Sequence, residues 1–461
     1  MHVVPLEIPE LGNRCHLVHD GRQALVVDPP RDTGPVEAAA EAAGVEITAV
    51  ADTHIHNDYV SGALGLARRR GADYLVSADE PVSFERVGVR DGDVVPVGRL
   101  EVTVLATPGH TRHHQSFLVR HLDQPATPAA VLSGGSLLHG TVGRTDLVDE
   151  QLTEALARQQ WASARLLGDL APGTLLLPTH GFGSFCAGAS TTPSYGPVTV
   201  GEQRTTNPAL TVPLERFVAD LVAGYGPVPS YYDHMAPLNR AGAGRALPRP
   251  ARPVTADEVT DAVLAGRWVV DLRDRASFAA GHLPGTVSVE YGQQFATYVG
   301  WLVPWDDDLV LLCDRPDDIQ SALHDLAAIG IDGPGTHLLA PSTPLTATYR
   351  RATWQEFLDA AGPKVVVDVR QRDEYDAGHL PGALHLPVQD ADARGLELPS
   401  GELWVHCRSG YRAGVAASVL HRMGRSVVHV DDAWERVAEL AIPTTTEEQA
   451  SLRASHWGGA A

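Results

Sequence analysis

Near the C-terminal end, Cys407-Arg408-Ser409-Gly410-Tyr411-Arg412 follows the apolar run Trp404-Val405-His406 and precedes a helical run from Ala413 to Met423. A cysteine at a strand end, in a short loop that opens a helix, faces backbone N–H donors and the positive end of the helix dipole. Both stabilise a thiolate. Gly410 allows the tight turn and Arg412 adds a fixed cation. With Arg408, Ser409, Gly410 and Tyr411 as its walls, such a cradle suits the terminal sulfur of a persulfide or the oxygens of thiosulfate, and Cys407 is the nucleophile. A second chemistry lies upstream. Thr53-His54-Ile55-His56-Asn57-Asp58-Tyr59 follows an apolar run, as do Thr107-Pro108-Gly109-His110-Thr111 and Pro178-Thr179-His180-Gly181. Histidines two apart on an irregular loop can point at one ion, and later loops at the same sheet end supply further ligands. Neutral imidazole suits zinc and iron.

The histidine motifs resemble the metallo-β-lactamase superfamily, in the branch of glyoxalase II and the persulfide dioxygenases, over about residues 1–185. Val142-Gly143-Arg144-Thr145-Asp146-Leu147 and His180-Gly181-Phe182-Gly183-Ser184 also look like that branch. The resemblance implies an αββα sandwich with metal at one edge. Two positions depart from it. The family reads HxHxDH, whereas Tyr59 takes the last place; and Gly135, in Ser133-Gly134-Gly135-Ser136, stands where the family carries a metal-binding Asp. Glyoxalase II-like hydrolysis uses two metals bridged by that Asp and a water, so losing Asp and His together disfavours a two-metal hydrolase. In the persulfide dioxygenases one iron is held by the equivalents of His54, His110 and the missing Asp. His56 is our choice to complete a three-histidine set, suited to Fe(II) or Zn(II). Asp58, Tyr59 and His180 are then orienting groups or further ligands. A degenerate metal site stays open as an alternative.

The C-x4-R spacing of Cys407 and Arg412 resembles the active loop of a rhodanese; related phosphatases carry C-x5-R because phosphate is larger than sulfane sulfur. Asp368, Arg370 and Gly378-His379-Leu380-Pro381-Gly382 resemble rhodanese scaffold residues, while Asp431 and Asp432 stand where rhodaneses often have glycines and are expected to alter substrate access. The scaffold motif occurs twice: Asp271 to Gly285 matches Asp368 to Gly382 without a gap. A repeat of this length marks two copies of one βα-built domain. The first copy ends its comparable strand at Cys313, but Pro316 removes an N–H from the loop and Asp318 stands at the arginine's place. Its carboxylates repel a thiolate or an anion, so this copy is read as catalytically silent, with a structural or docking role.

The elements that must position these groups read as α/β throughout: short apolar runs such as Ala24-Leu25-Val26-Val27 and Val102-Thr103-Val104-Leu105 alternate with Ala-rich helical segments. The expected architecture is an N-terminal αββα sandwich (1–185), an extension and linker over the metal edge (186–250), a first rhodanese-like domain (251–345), a second with Cys407 (346–445) and a tail (446–461). A chain of 461 residues exceeds one ordinary core. No window approaches the roughly 18 apolar residues of a membrane span, and the N-terminus lacks a signal-peptide pattern. The formal charge of −21 disfavours nucleic acid and anionic membranes as partners. Basic character is almost all arginine, Lys364 being the only lysine. Cys15, Cys186, Cys313 and Cys407 form no CxxC pair, which fits free thiols in a reducing cytoplasm, with Cys15 and Cys186 packed inside.

The resulting expectation is an enzyme that oxidises a low-molecular-weight thiol persulfide, such as that of glutathione, to sulfite at mononuclear iron, and moves sulfane sulfur among thiols, thiosulfate and sulfite through Cys407. The family is commonly multimeric, which implies a homo-oligomer. Two other readings stay open: a metal-degenerate scaffold with rhodanese activity only, and a mononuclear-zinc thioester hydrolase.

Overall fold

The structure, a computed structural model, describes residues 1–181, 183–188, 198–242, 249–305 and 307–446. Contacts divide the chain into two compact units: Met1–Pro248 with Leu326–Gly330, and Arg249–Asp325 with the residues from Ile331 on. No helix among the described residues is long and apolar enough to cross a membrane.

The first unit is built on two sheets. One orders β1 (His2–Ile8), β2 (Asn13–His19), β3 (Gln23–Val27), β4 (Glu46–Ala51), β5 (Asp73–Ser77) and β6 (Val87–Val89) in sequence. The other runs β11 (Leu175–Pro178), β10 (Ala130–Gly134), β9 (Gln115–His121), β8 (Leu100–Ala106), β7 (Val94–Val97). In β8, Leu100, Val102 and Val104 are buried while Glu101 and Thr103 face outward, the two-residue period of a strand with one wetter face. In β3, Ala24 to Val27 are all buried, as expected of a strand covered on both sides. Val18, Leu25, Val27, Ala51 and Leu75 of the first sheet meet Val102, Val104, Phe117 and Leu132 of the second in one core. Helices Gly34–Ala43 and Ala63–Arg70 pack on the first sheet. Helices Thr153–Gly168, Val200–Thr206 and Leu214–Ala223 join Leu118, Val131 and Leu176 on the outer face of the second. The layers are therefore α, β, β, α.

Part of the expected 186–250 extension thus backs the second sheet instead of covering the metal edge, because Val200, Phe217, Val218 and Leu221 bury their apolar faces there. The helix Tyr232–Ala241 does reach the histidine loop: Asn239 donates to the carbonyls of His56 and Tyr59 and accepts from the N–H of Ser61. Residues 189–197, the linker residues 243–248, Phe182 and the tail 447–461 lie outside the described residues.

The second unit holds two five-stranded parallel sheets. The first orders β12 (Arg252–Pro253), β16 (Gly335–Leu338), β15 (Leu309–Cys313), β13 (Trp268–Asp271) and β14 (Val287–Ser288). The second orders β17 (Arg350–Ala352), β21 (Ser426–Val430), β20 (Glu402–His406), β18 (Val365–Asp368) and β19 (Leu384–His385). Both follow the order first-fifth-fourth-second-third, so the sequence repeat is a repeat of fold. Its shared residues are structural. Arg273 pairs with Asp271 at 2.6 Å and donates to Gly281 O; Arg370 pairs with Asp368 at 2.6 Å and donates to Gly378 O. His282 and His379 stack on Phe278 and Tyr375 within their own copies.

Candidate functional site

Every histidine loop leaves a strand end, His54 and His56 after β4, His110 after β8 and His180 after β11, and all four side chains are buried. His54, His110 and His180 each place a ring nitrogen within 4.8 Å of the others'. Their hydrogen bonds fix which nitrogen is bare. The Thr53 hydroxyl donates to Asp28, so it accepts from His54 Nδ1 at 2.9 Å. His110 Nδ1 donates to the Arg144 carbonyl at 2.7 Å. His180 Nδ1 donates to Asn13 Oδ1 at 2.9 Å, with Asp58 Oδ2 3.4 Å away. All three rings are thus held in the tautomer whose Nε2 carries a lone pair. His54 Nε2 and His180 Nε2 face each other at 3.3 Å, and His110 Nε2 has no hydrogen-bond partner among the described residues. Two facing lone pairs and a third orphaned beside them repel unless a cation joins them, which is the donor set of a zinc or iron site. Burial, reinforced by the neighbouring imidazoles, pushes His110 and His180 down to about 3 and His54 well below its ordinary value, so the rings are neutral and fit to bind metal.

His56 turns the other way. Its Nε2 lies 3.2 Å from Asp28 Oδ1 and 2.9 Å from the Tyr59 hydroxyl, and Tyr59 donates onward to Asp28 O. Burial opposes its charge, but Asp28, Asp52 and Asp58 together raise it above the ordinary histidine value. Its Nε2 is thus turned to Asp28 and Tyr59, and the geometry groups His180, in place of the expected His56, with His54 and His110. His56 also falls in two neighbouring groups of possible ligands, with Asp58 and His180 and with Asp28 and Asp52. Tyr59 occupies the space beside it, its ring stacked on His56 with centroids 4.3 Å apart. Asp58 accepts from Asn13 Nδ2 at 2.6 Å and so braces His180.

Gly135 explains how the missing carboxylate is accommodated: a Cβ there would overlap the His110 ring. Several supports escaped the sequence reading. Gln160 accepts from His110 N and donates to Gly135 O and Ser136 O. His114 accepts the Gly135 N–H on Nε2, which removes it as a ligand. Asp28 gathers Thr53, Thr179 and His56, at a positive φ of 53°. Its one sequence signal was a strand-end carboxylate before Pro29-Pro30. A cavity of about 480 Å³, lined by Ile55, Asn57, Thr111, Arg112, Tyr232 and Arg240, adjoins the histidine loops. Cys15 and Cys186 are buried; Cys186 Sγ lies 3.9 Å from the Tyr232 hydroxyl.

In the second unit Cys407 ends β20 and is buried, and Gly410 N donates to its Sγ at 3.2 Å. Gly410 has φ 89°, which a side chain disfavours, and the helix Tyr411–Arg422 begins at the next residue. Arg412 is bound in a fork to Glu374 at 2.5 and 2.8 Å. Tyr411 donates to Glu290 O at 3.0 Å, while Arg408 and Ser409 are exposed. Asp432 caps the backbone N–H of Trp354, and Asp431 meets Arg275 and Arg351. Around Cys313 the picture reverses: burial, with Asp318 and Asp314 both 3.9 Å away, raises its thiol above the ordinary value.

Against known proteins, residues 353–440 match the model of the rhodanese-like domain. The first unit is similar to hydroxyacylglutathione hydrolases: 33% identical over 188 residues to that of Cereibacter sphaeroides, spanning 38% of this chain and 67% of the relative. The chain spans about half the length of the Pseudomonas putida relative it matches, 39% identical over 140 residues, 30% of this chain and 52% of that protein. Human mitochondrial persulfide dioxygenase ETHE1 is 28% identical over 233 residues, 50% of this chain and 81% of its own. Among solved structures, a metallo-β-lactamase from Staphylococcus aureus superposes with a TM-score of 0.65 at 27% identity, over 73% of this chain and 98% of its own. The chain belongs to the metallo-β-lactamase-fold family that includes glyoxalase II and persulfide dioxygenase, fused to a C-terminal rhodanese-like domain.

Proposed function

We propose that the chain oxidises the outer sulfur of a small thiol persulfide to sulfite in its first unit and transfers sulfane sulfur through Cys407 in its second, with the silent repeat between them in sequence. The observation that carries the first half is the trio of bare, neutral Nε2 atoms of His54, His110 and His180 beside a cavity. These three residues would hold the metal, with Asp58 and Asn13 orienting His180. Fe(II) bound there would supply the dioxygen chemistry that side chains lack. The residues around it do the rest. Tyr232 and Ile55 wall the substrate cavity from water, and Arg112 and Arg240 give it cationic edges for a carboxylate-bearing thiol. In balance, persulfide, dioxygen and water become thiol, sulfite and two protons, the outer sulfur giving up four electrons.

In the second unit, the Cys407 thiolate attacks the outer sulfur of thiosulfate. The sulfur–sulfur bond breaks with its electron pair leaving on sulfite, and a cysteine persulfide forms. A small thiolate then takes that outer sulfur and restores Cys407. Gly410 N–H steadies the negative sulfur, and Arg412 borders the anion.

A second reading, mononuclear-zinc hydrolysis of a hydroxyacylglutathione thioester, is favoured by the identity to the hydrolases. Oxygen uptake by iron-loaded protein given glutathione persulfide separates the two. Uptake with sulfite release, abolished in His110→Ala, is expected; no uptake, with thioester cleavage by zinc-loaded protein, would overturn the first reading in favour of the second.

A further inference from the structure

Gly410 carries the N–H aimed at Cys407 Sγ, so whatever fixes Gly410 fixes the cradle. Its carbonyl accepts from His429 Nε2 at 2.8 Å. Its Cα is closed off by Asp431, whose carboxylate a Cβ at 410 would overlap. Asp431 is itself held at both oxygens. Oδ2 forms an ion pair with Arg351 Nε at 2.9 Å, on the entry strand β17 of the same repeat. Oδ1 accepts from Arg275 Nε at 2.8 Å, and Arg275 belongs to the first, silent repeat. The other arm of Arg275 donates to Glu290 Oε2 at 2.7 Å, and Glu290 O accepts from the hydroxyl of Tyr411, the residue after Gly410. The stem of Arg275 also lies against Gly414 in the next turn, where an added Cβ would sit 3.3 Å from its Cβ. Gly410 and Tyr411, the last residue of the loop and the first of the helix, are thereby bracketed by one circuit that starts and ends on Arg275. The matching arginine of the second copy, Arg372, pairs with Asp376 on its own helix.

We propose that the silent repeat is a working part of the sulfur-transfer site, with Arg275 as a positioning residue that holds Asp431 against Gly410 and neutralises its charge beside the Cys407 loop. The proposal rests on the rhodanese reading above. An Asp at the place where rhodaneses often have glycine would oppose an anionic sulfur if left bare; two arginines turn it into a strut. Tyr298 of the silent repeat completes the wall, its ring 5.4 Å from that of Tyr411.

The test uses the full chain and two readouts, the rate of Cys407 alkylation by iodoacetamide at fixed pH, with Cys407→Ser as blank, and thiosulfate sulfurtransferase kcat and KM. Arg275→Ala is expected to slow alkylation and kcat about tenfold, with KM changed less; Arg275→Lys recovers part of both. The Arg275→Ala/Asp431→Asn double variant is expected to match Asp431→Asn alone, because the bare charge is gone. Arg275→Ala that alkylates and turns over like the wild type, or effects that simply add, would overturn the proposal. If Arg275→Ala does not fold, the Arg275→Lys/Asp431→Asn double variant set against its two single variants decides it by the same non-additivity. A wild type that transfers no sulfur, while its alkylation still responds to Arg275, would instead remove the rhodanese reading and leave the latch standing.

Discussion

His180 donates Nδ1–H to Asn13 and leaves Nε2 facing His54, whereas His56 spends Nε2 on Asp28 and Tyr59. Metal content after anaerobic Fe(II) loading should therefore fall from about one per chain to near none in His180→Ala. In Asp58→Asn, which keeps an oxygen near His180 but loses the charge, binding should survive with affinity weakened about 10- to 100-fold. Equal iron in His180→Ala and wild type would remove His180 from the set. Gly135→Asp restores the residue the family carries, yet its Cβ must displace His110. It should lower stability by about 1–3 kcal/mol and reduce iron loading instead of improving it; a chemical melt and metal analysis of the same sample check both. The HxHxD cluster and the two departures from it were legible in the sequence. Which imidazole turns toward the site was not, because that choice depends on Asp28 from the end of β3 and on a tyrosine hydroxyl, neither of which has a fixed spacing to the motif.

At the level of elements, the strand-to-helix loops were readable because each couples an apolar run to a chemistry-bearing turn. The repeat was readable because Asp271/Arg273 and Asp368/Arg370 brace the same loop in both copies. Contacts across copies, such as Arg275 to Asp431, leave no periodic trace. The interior of these sheets makes a pH prediction. His406, stacked on Trp434, His282 and His429 are held neutral, burial pushing each down to about 4 from an ordinary 6.5. Between those values the unfolded chain binds protons that the folded chain refuses, so stability falls as pH drops from about 6.5 toward 4 and is flat above about 7. Urea midpoints for the second unit should be lower at pH 5 than at pH 7.5. His406→Phe, which keeps a flat ring between Trp354 and Trp434, should lessen the difference. Identical midpoints at the two pH values would contradict the buried-neutral assignment.

The whole molecule carries a formal charge of −21, while both proposed reactions take anions. The substrates therefore approach against a repulsive field that salt screens over about 8–10 Å at physiological ionic strength. KM for thiosulfate should fall as ionic strength rises from low to physiological, the reverse of a cation-steered enzyme; a rising KM would mean that local arginines dominate. The central proposal is that one chain holds two chemistries, persulfide oxidation beside the histidine trio and sulfur transfer through Cys407. The most direct measurement is oxygen consumption by iron-loaded Cys407→Ser, supplied either with glutathione persulfide or with thiosulfate plus glutathione, beside the wild type. The account predicts that wild type consumes oxygen with both, while Cys407→Ser does so only with ready-made persulfide. Wild type inert toward persulfide, or Cys407→Ser fully active with thiosulfate plus glutathione, would contradict it.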